Sequence, residues 1–279
     1  MQLSIIIVNW NTTGLLMALL KSIERHAPSC EYEFIVVDNA SDDFDEHAFK
    51  SEFPHVHLIA NSKNYGYARG NNQALALAKG DFVLLLNPDT EVTEGSIDAL
   101  LDFMVSHPDA AAAGGKLVRP DGTIDRSVRS FPYPGAIAWE FLGLSKLFPH
   151  SRAFGAYRMT YFKYDKAAEV DQPMGSCLIL SRSALDDIGI FDEQFPIFFN
   201  EVDWLYRAHL WGYKIYFTPD ATVIHHGAAG TKQAGRRKMT RESHKSLLRF
   251  YNKHFKGKIS APMYWLTSIC IRISMALRG

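Results

Sequence analysis

The sequence predicts an α/β fold, with one domain on a mostly parallel central sheet followed by a helical tail. Two observations carry that expectation. In the first half of the 279 residues, short β-branched runs alternate with helical patterns, the rhythm of right-handed βαβ units. Apolar residues make up 47% of the chain, ample for a sizeable core, so disorder is not expected.

Strand-like runs fall at 3–8, 34–38, 56–60, 82–86 and 110–118, with helix-like runs at 15–26, 44–53, 68–79 and 96–106 between them. Ligands of such sheets bind beyond the carboxyl ends of the strands. Polar clusters follow four of these runs: Asn9-Trp10-Asn11, Asp38-Asn39, Asn61 to Asn64, and Asn87-Pro88-Asp89. All four are therefore expected on one edge. Beyond the Pro-Asp-Gly turn at 120–122, residues 125–170 are aromatic and basic without a clean period, which predicts an irregular lid or binding insertion. Regular patterning returns in a strand-like run at 174–181, a helix over about 202–211, strand-like runs at 214–218 and 221–225, and a helical region at 240–254.

Composition narrows the function classes. Lysine plus arginine equals aspartate plus glutamate at 30 each, so no global field draws the chain to nucleic acid. Cys30, Cys177 and Cys270 are widely spaced and form no CxxC pair, which suits a reducing cytoplasm. The opening run from Met1 to Val8 has no basic n-region or small-residue cleavage site, so it reads as a first strand and not as a signal peptide.

Three segments carry candidate chemistry. Leu84-Leu85-Leu86-Asn87-Pro88-Asp89 places a buried strand before a tight turn, so the Asp89 carboxylate should emerge at the ligand edge. Magnesium or manganese bridging a diphosphate needs only one or two protein carboxylates; the alternative is a turn-forming aspartate. Asp38 ends its strand where a carboxylate can accept from a nucleobase N–H or a ribose hydroxyl, or else cap the next helix. Asn64-Tyr65-Gly66-Tyr67-Ala68-Arg69-Gly70-Asn71-Asn72 is a glycine-punctuated loop entering a helix, where backbone N–H groups and Arg69 can meet phosphate. It matches neither the Walker pattern nor GxGxxG, which counts against a P-loop enzyme and a dinucleotide oxidoreductase.

Together these segments resemble the core of glycosyltransferase family 2, the GT-A fold, and look most like its bacterial rhamnosyltransferase-like branch, which acts on polysaccharide and O-antigen precursors. The resemblance runs from Ser4 to about His254, with a nucleotide-sugar-binding half at 1–122, an acceptor-binding half at 123–257 and an amphipathic tail at 258–279. It implies donor contacts from Val8, Asn9, Asp38, Asn64, Gly66, Arg69, Asn71, Asn87 and Gly175. Family members place an acidic run where this chain has Asn200-Glu201-Val202-Asp203, and its second acid, here Glu201, is the usual catalytic base. The chain departs from that pattern with Asn200 for the first acid and a glutamate for the expected aspartate. Glu201 suits the task physically, beside an apolar Phe198-Phe199 wall that would raise its pKa. Asp203 is a second catalytic candidate, or a capping-box partner of Asn200 as N-cap. The resemblance also makes His225 a metal or diphosphate ligand with Asp89, and His226 a weaker one; a histidine after a strand can equally be structural. Cys177 reads as a small packing residue and not as a nucleophile. The basic run Lys232, Arg236, Arg237 and Lys238 is a solvated loop, a lid on the diphosphate or a patch for anionic lipid.

The implied activity is inverting transfer from a nucleotide-diphospho-sugar, dTDP-L-rhamnose first and UDP-sugars next, to a glycan or polyprenyl-diphosphate-linked acceptor, with Mg2+ or Mn2+ on the donor. Two rivals remain. A sugar nucleotidyltransferase would usually carry a glycine-rich basic loop after the first strand, where Asn9 to Gly14 stands here. A non-catalytic sugar- or nucleotide-binding subunit of an assembly complex is the other. In the tail, Met263, Leu266, Ile269, Cys270, Ile273 and Leu277 would form one apolar stripe behind Pro262, too short and too interrupted by Arg272 to span a bilayer. With Tyr264, Trp265 and preceding lysines it reads as a helix in the interface of the anionic inner leaflet, or as one packed on the core or on a second subunit.

Overall fold

The computed structural model describes residues 1–227 and 235–278. The first half holds strands β1 (Leu3–Asn9), β2 (Tyr32–Asp38), β3 (Val56–Ala60), β4 (Phe82–Leu86), β5 (Thr90–Val92) and β6 (Ala110–Val118). Between them lie helices α1 (Thr13–Arg25), α2 (Glu46–Glu52), α3 (Tyr67–Leu75) and α4 (Ser96–Ser106). The second half adds β7 (Val128–Arg129), α5 (Pro134–Phe141), α6 (Leu144–Leu147), β8 (Ala168–Glu169), β9 (Gln172–Pro173) and β10 (Cys177–Ser181). Then come α7 (Arg182–Ile188), α8 (Asn200–Leu210), β11 (Lys214–His225), α9 (Arg236–His254) and α10 (Ala261–Arg278).

The main sheet has the order β3-β2-β1-β4-β10-β6-β11-β5, with β8 also on β11, and β7 pairs β9 separately. Strands β3, β2, β1 and β4 are mutually parallel, as are β6 and β11, so the sheet is mostly parallel as the βαβ rhythm predicts. Side chains alternate between its two faces. Leu3, Ile5 and Ile7 of β1 pack with Leu16, Leu19 and Leu100 from α1 and α4. Ile6 and Val8 point the other way, into a core containing Trp204, Leu205 and Phe250. A strand covered on both faces reads as a continuous apolar run, which is why β1, β2 and β4 were legible.

Several expectations change. Residues 125–170 contain two short helices, and α5 was hidden because Pro134 to Phe141 is apolar almost all round and shows no stripe. The runs at 214–218 and 221–225 belong to one strand, β11, whose pairing with β6 shifts register between Thr218 and Thr222. The N-cap of α8 is Phe199, in a left-handed conformation at φ 70°, and not Asn200, which is the first helical residue and donates its Nδ2 to the Ile197 carbonyl at 2.9 Å.

Trp204 is fully buried, and its Nε1–H donates to the Gly189 carbonyl at 2.7 Å. Replacing it with alanine is expected to lower unfolding stability by about 3–5 kcal/mol, read from the urea midpoint. A loss under about 1 kcal/mol would show that this face of the sheet collapses around the cavity.

Candidate active site

The strand ends open into a cavity of about 920 Å³, and its lining comes from both halves of the chain. From the first half, Val8, Trp10, Asn64, Gly66, Asn87 and Asp89 reach it. Gly175 and Ser176, Glu201, and His225 arrive from the loop before β10, from α8 and from β11. Arg129, Tyr157 and Lys238 complete the wall from the aromatic insertion and the first turn of α9.

Asp89 and His225 meet here across the sheet. Asp89 follows β4, His225 ends β11, and the His225 Nε2 lies 3.7 Å from Asp89 Oδ1, with both side chains nearly buried. On its other side His225 Nδ1 lies 2.8 Å from Asp125 Oδ2, and Asp125 pairs in turn with Arg119 at 2.9 Å. A carboxylate only accepts, so the Nδ1–H donates to Asp125, and the ring is turned with its Nε2 toward Asp89 and the cavity. Sequence reasoning missed Asp125, which is 100 residues from its partner; its only local signal is the Pro-Asp-Gly turn just before it. One carboxylate and one oriented imidazole suit a hard divalent cation that takes its remaining oxygens from phosphate and water. Among the described residues no group of three His, Cys, Asp or Glu side chains could hold a metal by itself.

Glu201 is the second residue of α8 and faces the same cavity. Burial pushes its carboxyl above the ordinary glutamate range, against the opposing pull of helix N-terminal N–H groups and the Arg129 cation. Gly175 leaves the space over this carboxylate open, since a Cβ there would stand 3.4 Å from Glu201 Cγ. The hydroxyl of Tyr67 lies 3.5 Å from the Gly175 carbonyl, and burial followed by the Glu201 charge raises its pKa, so it stays protonated.

Asp203 is placed elsewhere. It is fully buried, does not line the cavity, and binds His254 Nε2 at 2.7 Å and two cations, Lys253 Nζ at 2.8 Å and Arg207 Nε at 3.0 Å. Burial alone would raise its pKa, but the bonds from His254 and Lys253 outweigh it and hold the carboxyl below its ordinary value. The structure thus replaces the expected capping box with an anchor between α8 and α9.

The loop at 64–72 also differs from expectation. The N–H groups of Tyr67 and Ala68, at the start of α3, donate to the Pro196 carbonyl at 2.6 and 3.2 Å and are not offered to phosphate. Gly66 permits this approach, with φ +88° and a Cβ position only 2.7 Å from that carbonyl oxygen. Arg69 is exposed and stacks on Tyr65, 4.2 Å from the ring centre, and Asn71 is buried with its Nδ2 on the Tyr67 carbonyl at 2.9 Å. Neither lines the cavity, whereas Asn64 and Gly66 do. Asn9 and Asp38 sit just behind Val8 and Trp10: Asn9 Nδ2 donates to Asp38 Oδ1 at 2.8 Å, and Asp38 also accepts from the backbone and hydroxyl of Ser41. Cys177 is buried with its thiol pushed up to about 12 by burial, in keeping with a packing residue. His226 lies 3.6 Å from Glu91. Lys232 lies outside the described residues, as does the side chain of Arg236.

The fold is that of the GT-A glycosyltransferases. A mannosyltransferase from Pyrobaculum calidifontis, solved with GDP-Man and Mn2+, superposes at a TM-score of 0.63 with 16% identity, covering 100% of this chain and 76% of that one. S. aureus TarS superposes at 0.57 with 17% identity, covering 99% and 81%. At the level of sequence, the profile of Glycosyl transferase family 2 matches residues 4–189, and the chain belongs to that family. It is 30% identical over 260 residues to the N-acetylglucosaminyl-diphospho-decaprenol L-rhamnosyltransferase of Mycobacterium tuberculosis, covering 88% of this chain and 81% of that protein. A low-salt glycan biosynthesis hexosyltransferase of Haloferax volcanii is 28% identical over 211 residues, covering 74% and 61%.

Asp203→Ala should act on stability, since it removes the buried acceptor shared by His254, Lys253 and Arg207. A loss of about 3–5 kcal/mol is expected in denaturant unfolding at neutral pH. Because the folded-state pKa is depressed, this contribution is complete above the unfolded value of about 3.9 and disappears as pH falls through the folded one. An unchanged unfolding midpoint would remove Asp203 from the anchoring role.

Proposed function

We propose that this chain is a metal-dependent, inverting glycosyltransferase of bacterial cell-surface polysaccharide synthesis, working peripherally at the cytoplasmic face of the membrane. It moves a sugar from a nucleotide-diphospho-sugar to a hydroxyl of a glycan or polyprenyl-diphosphate-linked acceptor. The 30% identical mycobacterial rhamnosyltransferase supports L-rhamnose as the sugar and a lipid-linked acceptor; dTDP-L-rhamnose is the donor to try first and UDP-sugars the next. The observation that carries the reading is convergence: Asp89, His225 and Glu201, from three separate elements, face one cavity.

Val8, Trp10, Asn64 and Gly66 line the part of the cavity built by the first-half strand ends, which supports binding of the nucleotide there. Asp89 and His225 would hold Mg2+ or Mn2+ there, whose charge offsets that developing on the departing diphosphate. Glu201 takes the proton from the acceptor hydroxyl as its oxygen bonds to the anomeric carbon. The bond from that carbon to the diphosphate oxygen breaks on the opposite face, and the nucleoside diphosphate leaves. One displacement inverts the configuration and needs no covalent glycosyl-enzyme. Purified protein with a donor panel tests the whole reading: donor binding with neither nucleoside diphosphate release nor sugar transfer would favour a binding subunit, whereas release without transfer would be hydrolysis of the donor by water.

Asp89→Ala and His225→Ala are each expected to abolish the gain that manganese gives to nucleoside diphosphate binding in calorimetry. Asp125→Asn, which touches the site only through His225, should weaken that gain by about 10- to 100-fold. Binding by Asp89→Ala at parent strength would overturn the assignment.

Glu201→Gln keeps shape but accepts no proton, so turnover should fall about 10²- to 10⁴-fold with donor affinity preserved. The base form is lost as pH falls through the raised pKa, so the acid limb of kcat/KM should lie above the ordinary glutamate value of about 4.3 and vanish in the variant. An acid limb that persists in Glu201→Gln would give the role to another group.

A further inference from the structure

The last helix, α10, is turned inside out relative to a helix packed for water. Its inner face carries Tyr264, Thr267, Ser268, Ile271 and Ser274, all buried. Its outer face carries Met263, Trp265, Leu266, Ile269, Ile273 and Leu277, which are 49–81% exposed. Polar groups stabilise the inward packing: the Ser274 hydroxyl pairs with His244 Nε2 at 2.9 Å, and the Tyr264 hydroxyl donates to Asn252 Oδ1 at 2.5 Å. The apolar stripe that the sequence pattern identifies is therefore the face left open. An exposed apolar strip of this size marks an interaction surface.

Charge identifies the partner. Between residues 236 and 278 there are eleven lysines and arginines and one carboxylate, Glu242, in a chain whose formal net charge is zero. Lys256, Lys258 and Arg272 are exposed at the start of α10 and along it. A second copy of this chain would bring two such cationic segments together, at a repulsive cost that an anionic bilayer turns into attraction. Among the described residues no helix is long and apolar enough to cross a membrane, and 18 residues make a rod of about 27 Å that suits lying along one. The neighbouring α5–α6 segment, with α5 packed on α10, adds exposed Leu142, Leu147 and Phe148 beside exposed Lys146.

We propose that the outer face of α10 docks on an anionic membrane surface, with Trp265, Leu266, Ile269 and Ile273 inserted at the headgroup boundary. The docking is coupled to the cavity through α9, whose first turns supply Lys238, Met239 and Ser243 to the cavity wall while its body packs against α10. This rests on the reading that the acceptor is membrane-linked, and it names the surface that brings the cavity to it.

Deleting the tail is a poor test, because Ile271 is fully buried and truncation would open the core. The test uses full-length protein and the double variant Leu266→Glu/Ile273→Glu, floated with vesicles of phosphatidylcholine alone or with phosphatidylglycerol. Light scattering gives the oligomeric state, and calorimetry with nucleoside diphosphate gives the integrity of the cavity. The parent is expected to float with anionic vesicles only, to lose flotation in high salt, and to partition at least about tenfold better than the variant, with nucleotide binding equal in both. Equal flotation of the two proteins, or none by the parent, overturns the proposal; a parent dimer that becomes a monomer in the variant assigns the face to a second copy. Nucleotide binding and transfer to a water-soluble acceptor report on the glycosyltransferase reading separately, so either proposal can fail alone.

Discussion

Between β4 and β6 the sheet admits β10 in the antiparallel sense, and the geometry of the site follows from that pairing. An inserted strand running against its neighbours starts at the edge where they end. The loop before β10 therefore arrives beside the turn after β4: the Asn87 N–H donates to the Ser176 carbonyl at 3.0 Å, and its side chain to the Ser176 hydroxyl at 2.9 Å. That hydroxyl stands 3.4 Å from His225 Nε2 at the end of β11. Three chain segments far apart in sequence are thus brought to one edge by backbone pairing that is buried on both faces. A parallel strand in the same slot would have delivered Gly175 and Ser176 to the opposite edge.

Helix α8 brings the remaining group, and two features fix where it starts. Phe199 adopts a left-handed conformation, which costs a bulky residue about 1–2 kcal/mol and persists only when its surroundings enforce it. One turn further on, Asp203 is tied to Lys253 and His254 of α9 and to Arg207 of its own helix, so α8 cannot slide to relieve the strain. Glu201 lies between the strained residue and the anchor. Its carboxyl is held half-buried against the cavity, a position that would be unfavourable on a free helix end, where water would draw it out.

Legibility followed the range of the interaction. Strands β3, β4 and β6 were readable to the residue, because a short, largely apolar run between polar turn segments is a local fact. Asp89, His225 and Glu201 were singled out from motifs and resemblance, and the structure brings all three to one cavity. What failed was whatever depended on a distant partner. The N–H groups of α3 looked available for phosphate until Pro196, some 130 residues on, was seen to take them. Asp203 looked like a helix-cap acid until Lys253 and His254 closed on it. Asp125 carried no signal beyond the turn before it, since its partner is a histidine in a strand that the sequence places 100 residues later. The tail shows a subtler limit: periodicity located its apolar stripe correctly but says nothing about whether the stripe faces in or out.

The family match covers residues 4–189, which contain β1 to α7 and every first-half strand end that reaches the cavity. Glu201, His225 and the cavity-facing turns of α9 lie beyond it. Similarity within the matched region therefore constrains the side of the cavity built by the first-half strand ends more tightly than the side where Glu201 stands. Helix α9 sharpens the point, because one helix carries Lys238 and Met239 in the cavity wall, Lys253 and His254 on Asp203, and His244 on Ser274 of α10. These three attachments tie the cavity wall, the anchor that holds the helix carrying Glu201, and α10 to a single helix.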